Sequence, residues 1–209
     1  MAQKDVGNKI PIYKLKTTDE VMRYYDEWGI ENKYDQDMVD WNYTGPKETV
    51  ATFLKYAKDK NIKILDAGCG TGLVGVELKK KGFTNIDGAD FSQKMLDLVP
   101  QKIYKNLFKI NLNQKVNIND NTYEGITCVG TFTFGHVYPQ ALDEMVRICK
   151  IKSLICFTIN IGIYEEYGFD KKIKELEDNN SWKIIKFFKS NYIASKGVNA
   201  WLVLAQVIK

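Results

Sequence analysis

The segment ILDAGCGTGL, residues 64–73, sets an acid, Asp66, two residues ahead of three glycines at alternate positions, Gly68, Gly70 and Gly72. Glycines spaced in this way leave no Cβ over a turn, so a ligand can lie against the backbone. Asp90 follows twenty residues on from Gly70, inside GADFSQKML. A carboxylate there can accept hydrogen bonds from both ribose hydroxyls of an adenosine. Two cofactor classes fit this constellation. Gly70-Thr71-Gly72-Leu73-Val74-Gly75 has the form GxGxxG, with Asp90 at the spacing of a nicotinamide dinucleotide site. Asp66 decides between them. A carboxylate beside a pyrophosphate is repelled, whereas the same carboxylate favours the ammonium of S-adenosylmethionine. S-adenosylmethionine is the expected cofactor, and an NAD-dependent oxidoreductase is the lesser alternative.

Other residues could do chemistry near that turn. His136, the only histidine, stands in TFTFGH directly after an apolar, β-branched run. Histidine can serve as a general base near neutral pH, although many methyl transfers need only in-line positioning of nucleophile and sulfonium. The catalytic set is therefore left open, with His136 the one candidate and a plain loop histidine its bland counterpart. Thr131 and Phe132, ahead of it, are expected to line the pocket. Tyr25, Trp28 and Tyr34 belong to an aromatic N-terminal stretch, where a ring face could stabilise a methyl-bearing cation by ~0.5–2 kcal/mol. Each is equally readable as packing. Cys69, Cys128, Cys149 and Cys156 show no paired spacing. They read as reduced, buried thiols of a cytoplasmic protein, with no metal site.

The elements that must position these residues follow from periodicity. Residues 19–41 suit two short helices broken near Gly29, and Gly45-Pro46 opens a third with the apolar stripe Val50, Phe53, Leu54 and Ala57. Strands are expected at 63–67, 85–89, 103–110, 125–132 and 154–159, with helices at 73–80, after Ser92, after Pro139 and at 170–178. Two strands, 182–189 and 198–207, close the chain. The alternation predicts a doubly wound, mostly parallel sheet. About eight residues separate the last two strands, enough for a hairpin and too few for a parallel crossover. The last strand should run antiparallel. A flexible tail over residues 1–18 and one domain over 19–209 are expected, with residues 19–44 as helices over the cofactor.

Composition excludes more than it assigns. The chain has 209 residues, 44% hydrophobic content and a net charge of +4. All but two of its 30 basic residues are lysines, the exceptions being Arg23 and Arg147. Dispersed lysine marks a solvated surface rather than a nucleic-acid reader, which clusters arginine. Neither a secretory signal nor a membrane span is visible.

ILDAGCGTG followed by GADFSQKML resembles the first two cofactor motifs of class I S-adenosylmethionine-dependent methyltransferases, and the alternating pattern covers nearly the whole chain. YYDEW, NYTGP, DAGCGTGLV and GADFSQKML together resemble a narrower group, the Williams-Beuren syndrome region methyltransferase-like proteins. The resemblance implies a seven-stranded Rossmann-like fold. It implies that Asp66 orients the methionine amino group, directly or through water. Ala67, Gly68, Gly70 and Leu73 would let the cofactor approach, Asp90 would hold the ribose, and Phe91 and Met95 would pack on adenine. Many members carry an acid after the third strand. Here Asn111-Leu112-Asn113 stands in its place, which transfers adenine recognition to Asn111, Leu112 or a backbone carbonyl. The expected acceptor is a small molecule, because the chain lacks an Asn-Pro-Pro-Tyr segment after strand four, the metal-binding carboxylates of catechol-type enzymes, and a substrate-binding insertion. A protein side chain remains open, as does a catalytically silent, cofactor-binding partner protein.

Overall fold

The structure, a computed structural model, describes residues 11–209 except residues 16, 30 and 32. The first described feature is a turn at Pro11–Lys14 that buries Ile12. The first ten residues of the expected tail lie outside the described residues. Thr17 then starts α1 (Thr18–Trp28) with a capping box: its hydroxyl accepts from Glu20 N, and the Glu20 carboxylate accepts from Thr17 N. Two donors otherwise orphaned at the helix start are thereby satisfied. The helices α2 (Lys33–Asp40) and α3 (Gly45–Tyr56) follow.

Strands and helices then alternate: β1 (Ile64–Ala67), α4 (Leu73–Lys80), β2 (Ile86–Asp90), α5 (Gln93–Asp97), β3 (Leu107–Lys109), β4 (Tyr123–Phe132), α6 (Ala141–Ile148), β5 (Cys149–Asn160), α7 (Phe169–Asp178), β6 (Trp182–Ile193) and β7 (Val198–Val207). They build one seven-stranded sheet in the order β3-β2-β1-β4-β5-β7-β6. Strands β1 to β5 are parallel to one another, and β7 runs antiparallel between β5 and β6. The hairpin expected at the end of the chain is present. Gly197 in left-handed conformation ends its short turn. Lying between two strands, β7 is buried on both faces through Leu202–Ala205, which accounts for its continuous apolar run.

Two apolar layers flank the sheet. On one face α6 and α7 contribute Leu142, Met145, Phe169, Ile173 and Leu176. On the other α3 and α4 contribute Val50, Phe53, Val74 and Leu78. Phe53 is fully buried, and α3 docks because position 125 is glycine: a Cβ there would come within 2.6 Å of the Phe53 ring. The parallel order changes direction between β1 and β4, and the carboxyl ends of β1, β2 and β4 part there to leave a crevice. Open α/β sheets bind ligands at this kind of switch point.

Candidate active site

The crevice encloses about 720 Å³ of empty space continuous with solvent. Its floor is the turn between β1 and α4. Gly68 and Gly70 line it with φ of +71° and +52°, a region that side-chain-bearing residues rarely adopt. The two positions differ in what surrounds them. A Cβ on Gly68 would stand 2.0 Å from Thr131 Oγ1, whereas one on Gly70 would meet nothing within 4 Å and would project into open space. Gly68 is needed for packing against β4. Gly70 keeps the cradle open.

Asp90 forms one wall at the end of β2. Its Oδ2 accepts from Gly70 N at 2.8 Å and its Oδ1 from Ser92 N at 2.9 Å. One carboxylate thus fixes the glycine turn and the start of α5, and each oxygen retains a lone pair for a ligand hydroxyl. Burial raises the Asp90 carboxyl above the ordinary carboxylate range, and the N–H groups that it accepts from hold it down. Phe91 and Met95 extend this wall, and Asn111 and Leu112 face it from the loop after β3. Asn113 braces that loop: its Nδ2 donates to His136 O at 2.8 Å and its Oδ1 accepts from Tyr138 N at 2.9 Å.

The N-terminal helices close the remaining side through Val21, Tyr25 and Tyr34. Polar contacts fasten them. Thr71 Oγ1 in the glycine turn donates to Asp35 Oδ1 at 2.6 Å. Ser92 Oγ donates to Asp26 Oδ1 at 3.0 Å. His136 Nε2 lies 2.9 Å from the Tyr25 hydroxyl, and His136 Nδ1 lies 2.6 Å from Phe134 O. Because a carbonyl can only accept, Nδ1 carries the proton, and Nε2 accepts from Tyr25. Burial lowers the His136 pKa to about 4, so the ring is neutral throughout the physiological range.

Of the residues anticipated from sequence, the structure brings Tyr25, Tyr34, Gly68, Gly70, Asp90, Phe91, Met95, Asn111, Leu112, Thr131 and His136 to this crevice. Five lie elsewhere. Phe132 packs in the core at 4.9 Å from Phe169 and 5.7 Å from Phe157, because adjacent strand residues point to opposite faces and Thr131 takes the crevice side. Ala67 is fully buried for the same reason. Leu73 starts α4 and packs with the α3–α4 layer. Trp28 is buried beside the crevice, its Nε1 donating to Asp37 Oδ2 at 2.6 Å. Asp66 is fully buried beneath the turn, with Oδ1 accepting from Thr127 at 2.9 Å and Oδ2 from Tyr104 at 2.5 Å. Asp66 thus stands beneath the turn rather than among the residues that line the crevice. Tyr104 carries no sequence signal, yet its ring occupies the space at Gly75, where a Cβ would come within 2.4 Å of it. Val129, Gly130 and Val137 also line the crevice without having been anticipated.

Burial pushes the Asp66 carboxyl from 3.8 up to about 6; the Tyr104 and Thr127 hydroxyls oppose the rise and the charge of Asp90 adds to it. The folded state therefore binds this proton more tightly than the unfolded chain. The stability contribution is present below pH 3.8 and is lost as pH rises towards 6, leaving a cost of about 3 kcal/mol at neutral pH. Asp66→Asn removes the buried charge while both hydroxyls can reorient to its amide. Its melting temperature at pH 8 should exceed that of the wild type, and the gain should shrink towards zero at pH 4, as scanning calorimetry at the two pH values would show. An equal gain at both would refute the assignment.

Among the described residues no group of three potential metal ligands occurs, all four cysteines are free and buried, and no helix is long and apolar enough to cross a membrane.

Residues 64–152 match the methyltransferase domain family. Human methyltransferase-like protein 27 is 28% identical over 170 residues, covering 78% of this chain and 68% of that protein. Several further curated relatives are longer: the chain spans 48% to 60% of their length. Some are named for protein acceptors. Among solved structures, magnesium protoporphyrin IX methyltransferase from Synechocystis PCC 6803, with S-adenosylmethionine bound, superposes with a TM-score of 0.64 at 15% identity, covering 97% of each chain. A methyltransferase in complex with the Haloferax volcanii Trm112 methyltransferase activator superposes with a TM-score of 0.66 at 13% identity, covering 88% of this chain and 98% of that one. The fold is the Rossmann-like fold of S-adenosylmethionine-dependent methyltransferases.

Proposed function

We propose, for a chain whose residues 64–152 match the methyltransferase domain family, that the protein transfers a methyl group from S-adenosylmethionine to a small-molecule acceptor. The observation that carries this is the joint placement of Gly70 and Asp90. The turn presents backbone with open space where a Cβ would stand. Beside it, a carboxylate already oriented by two N–H groups offers its remaining lone pairs to a ribose. The chain's residues fit the cofactor in other respects. Phe91, Met95 and Leu112 supply apolar walls for an adenine and Asn111 supplies an amide. Asp66, below the turn, supplies the negative field that an ammonium and a sulfonium need. When bound, S-adenosylmethionine supplies an electrophilic methyl on its sulfonium.

The protein's share of catalysis is then positioning and the exclusion of water. Tyr25 and Tyr34, held by the Asp35–Thr71 and Tyr25–His136 contacts, cover the crevice. A histidine whose conjugate acid lies near 4 is a weak base, so His136 acts by orienting Tyr25 rather than by removing a proton. The four free, buried thiols fit a reducing cytoplasmic setting.

Transfer of labelled methyl from S-adenosylmethionine into a size-fractionated cell extract tests this reading. Label should appear in the low-mass fraction. Label in protein or RNA alone would overturn the small-molecule acceptor. Tight cofactor binding with no label in any fraction would favour the second reading, a silent cofactor-binding partner protein. That reading draws on the Trm112-bound neighbour.

A further inference from the structure

A second, smaller cavity opens beside the crevice, with about 350 Å³ of empty space continuous with solvent. Six of its lining side chains are aromatic: Tyr25, Trp28, Tyr34, Trp41, Tyr43 and Tyr192. Tyr25, Tyr34 and Gly130 line both cavities, so the two share a boundary at the end of β4. Most of the rings meet at an angle, although Tyr25 and Trp28 stack 6.1 Å apart at 21°. Trp28 and Tyr34 are 5.0 Å apart at 79°, Trp28 and Trp41 are 5.5 Å apart at 48°, and Tyr43 and Tyr192 are 5.0 Å apart at 83°. Ring faces and edges therefore bound the space from several directions.

Acids predominate around the two cavities. Among the described residues no lysine or arginine lines either of them. Asp90 stands in the crevice wall and Asp66 beneath its floor. Asp35 and Asp37 lie on α2, the latter accepting from the Trp28 indole at 2.6 Å. Lys196, which does not line the cavity, lies with its Nζ 4.8 Å from the Trp41 ring centroid, so a wall ring already carries one cation.

We propose that this aromatic cavity is the acceptor subsite and that the acceptor is a small apolar amine methylated on nitrogen. The proposal rests on the methyl-transfer reading of the crevice. An unprotonated amine passes its nitrogen lone pair to the methyl carbon. The N–C bond forms as the C–S bond breaks, the C–S electron pair stays on sulfur as a thioether, and nitrogen carries the positive charge away. Aromatic faces stabilise that nascent ammonium. A primary or secondary amine loses its extra proton to solvent after release, and a tertiary amine keeps the charge. Oxygen nucleophiles fare worse. A phenolate or carboxylate would enter a field in which four acids outweigh Lys196, with no lysine or arginine among the described lining residues, and His136 is too weak a base to ionise a hydroxyl in place.

Binding to protein saturated with S-adenosylhomocysteine tests this without turnover. The probes are benzyltrimethylammonium, benzyl alcohol and phenylacetate, which share a ring and differ in charge. The ammonium should bind about tenfold more tightly than the alcohol, with phenylacetate the weakest. Trp41→Leu should erase the ammonium preference and Met38→Trp should fill the cavity, each leaving S-adenosylhomocysteine affinity within about twofold of wild type. Equal affinity for the three probes, preference for phenylacetate, no probe binding, or an ammonium preference unchanged in both variants would overturn the proposal. If wild-type protein fails to bind S-adenosylhomocysteine at all, the methyl-transfer reading itself fails, and that titration is read first.

Discussion

Asp90→Ala should weaken S-adenosylmethionine binding by about 100-fold or more. The carboxylate holds Gly70 N and Ser92 N and is expected to accept from both ribose hydroxyls. Hydrogen bonds to a charged group contribute about 1.5–3 kcal/mol each, so losing the ribose pair alone accounts for two decades. The turn also loses the acceptor that fixes it, which adds disorder at the cradle. Asp90→Asn retains one carbonyl acceptor and should lie between, near a tenfold loss. Calorimetric titration of the two variants reads the order directly. Binding by Asp90→Ala within threefold of wild type would show that Asp90 serves only the turn.

Gly68→Ala and Gly70→Ala should part sharply, although both glycines have positive φ. At Gly68 a Cβ meets Thr131 Oγ1 at 2.0 Å and its Cβ at 3.0 Å. Thr131 is anchored on β4, so the neighbour cannot swing away cheaply. Overpacking and left-handed strain together cost about 3 kcal/mol, a fall of about 10 °C in melting temperature for a chain of this size. At Gly70 the new methyl has open space, leaving only the left-handed strain of about 1–2 kcal/mol. That methyl, however, projects into the cradle. Gly70→Ala should therefore fold nearly normally and lose cofactor affinity. Thr131→Gly in the Gly68→Ala background should restore part of the lost stability, as a double-mutant cycle would measure. Equal melting temperatures for the two alanine variants would contradict this account of the turn.

The glycine turn and Asp90 were legible because the motif is local: strand, turn and helix follow each other, and the spacing fixes the geometry. The sheet was legible for the same reason, down to the antiparallel β7, whose short link to β6 permits nothing else. The losses have physical causes. Thr131 and Phe132 were read together, yet strand alternation sends one to the crevice and the other to the core. The type of Asp66 suits an ammonium, held directly or through water, but the Tyr104 and Thr127 hydroxyls that bury it are 38 and 61 residues away. No local pattern announces such partners. β3 spans only three residues, all exposed, so it carries no apolar signature. The Asp35–Thr71 and Tyr25–His136 contacts, which fasten the N-terminal helices over the crevice, join segments 36 and 111 residues apart. The aromatic stretch around Trp28 was conspicuous in sequence, but its division between crevice wall and second cavity depends on how α2 folds back.

The most direct test of the central claim is isothermal titration of the purified protein with S-adenosylmethionine, S-adenosylhomocysteine and NAD. Micromolar binding of both adenosyl ligands with none of NAD is the predicted result. Clear binding of NAD with neither adenosyl ligand bound would contradict it, because the acid beneath the glycine turn would then face a pyrophosphate after all.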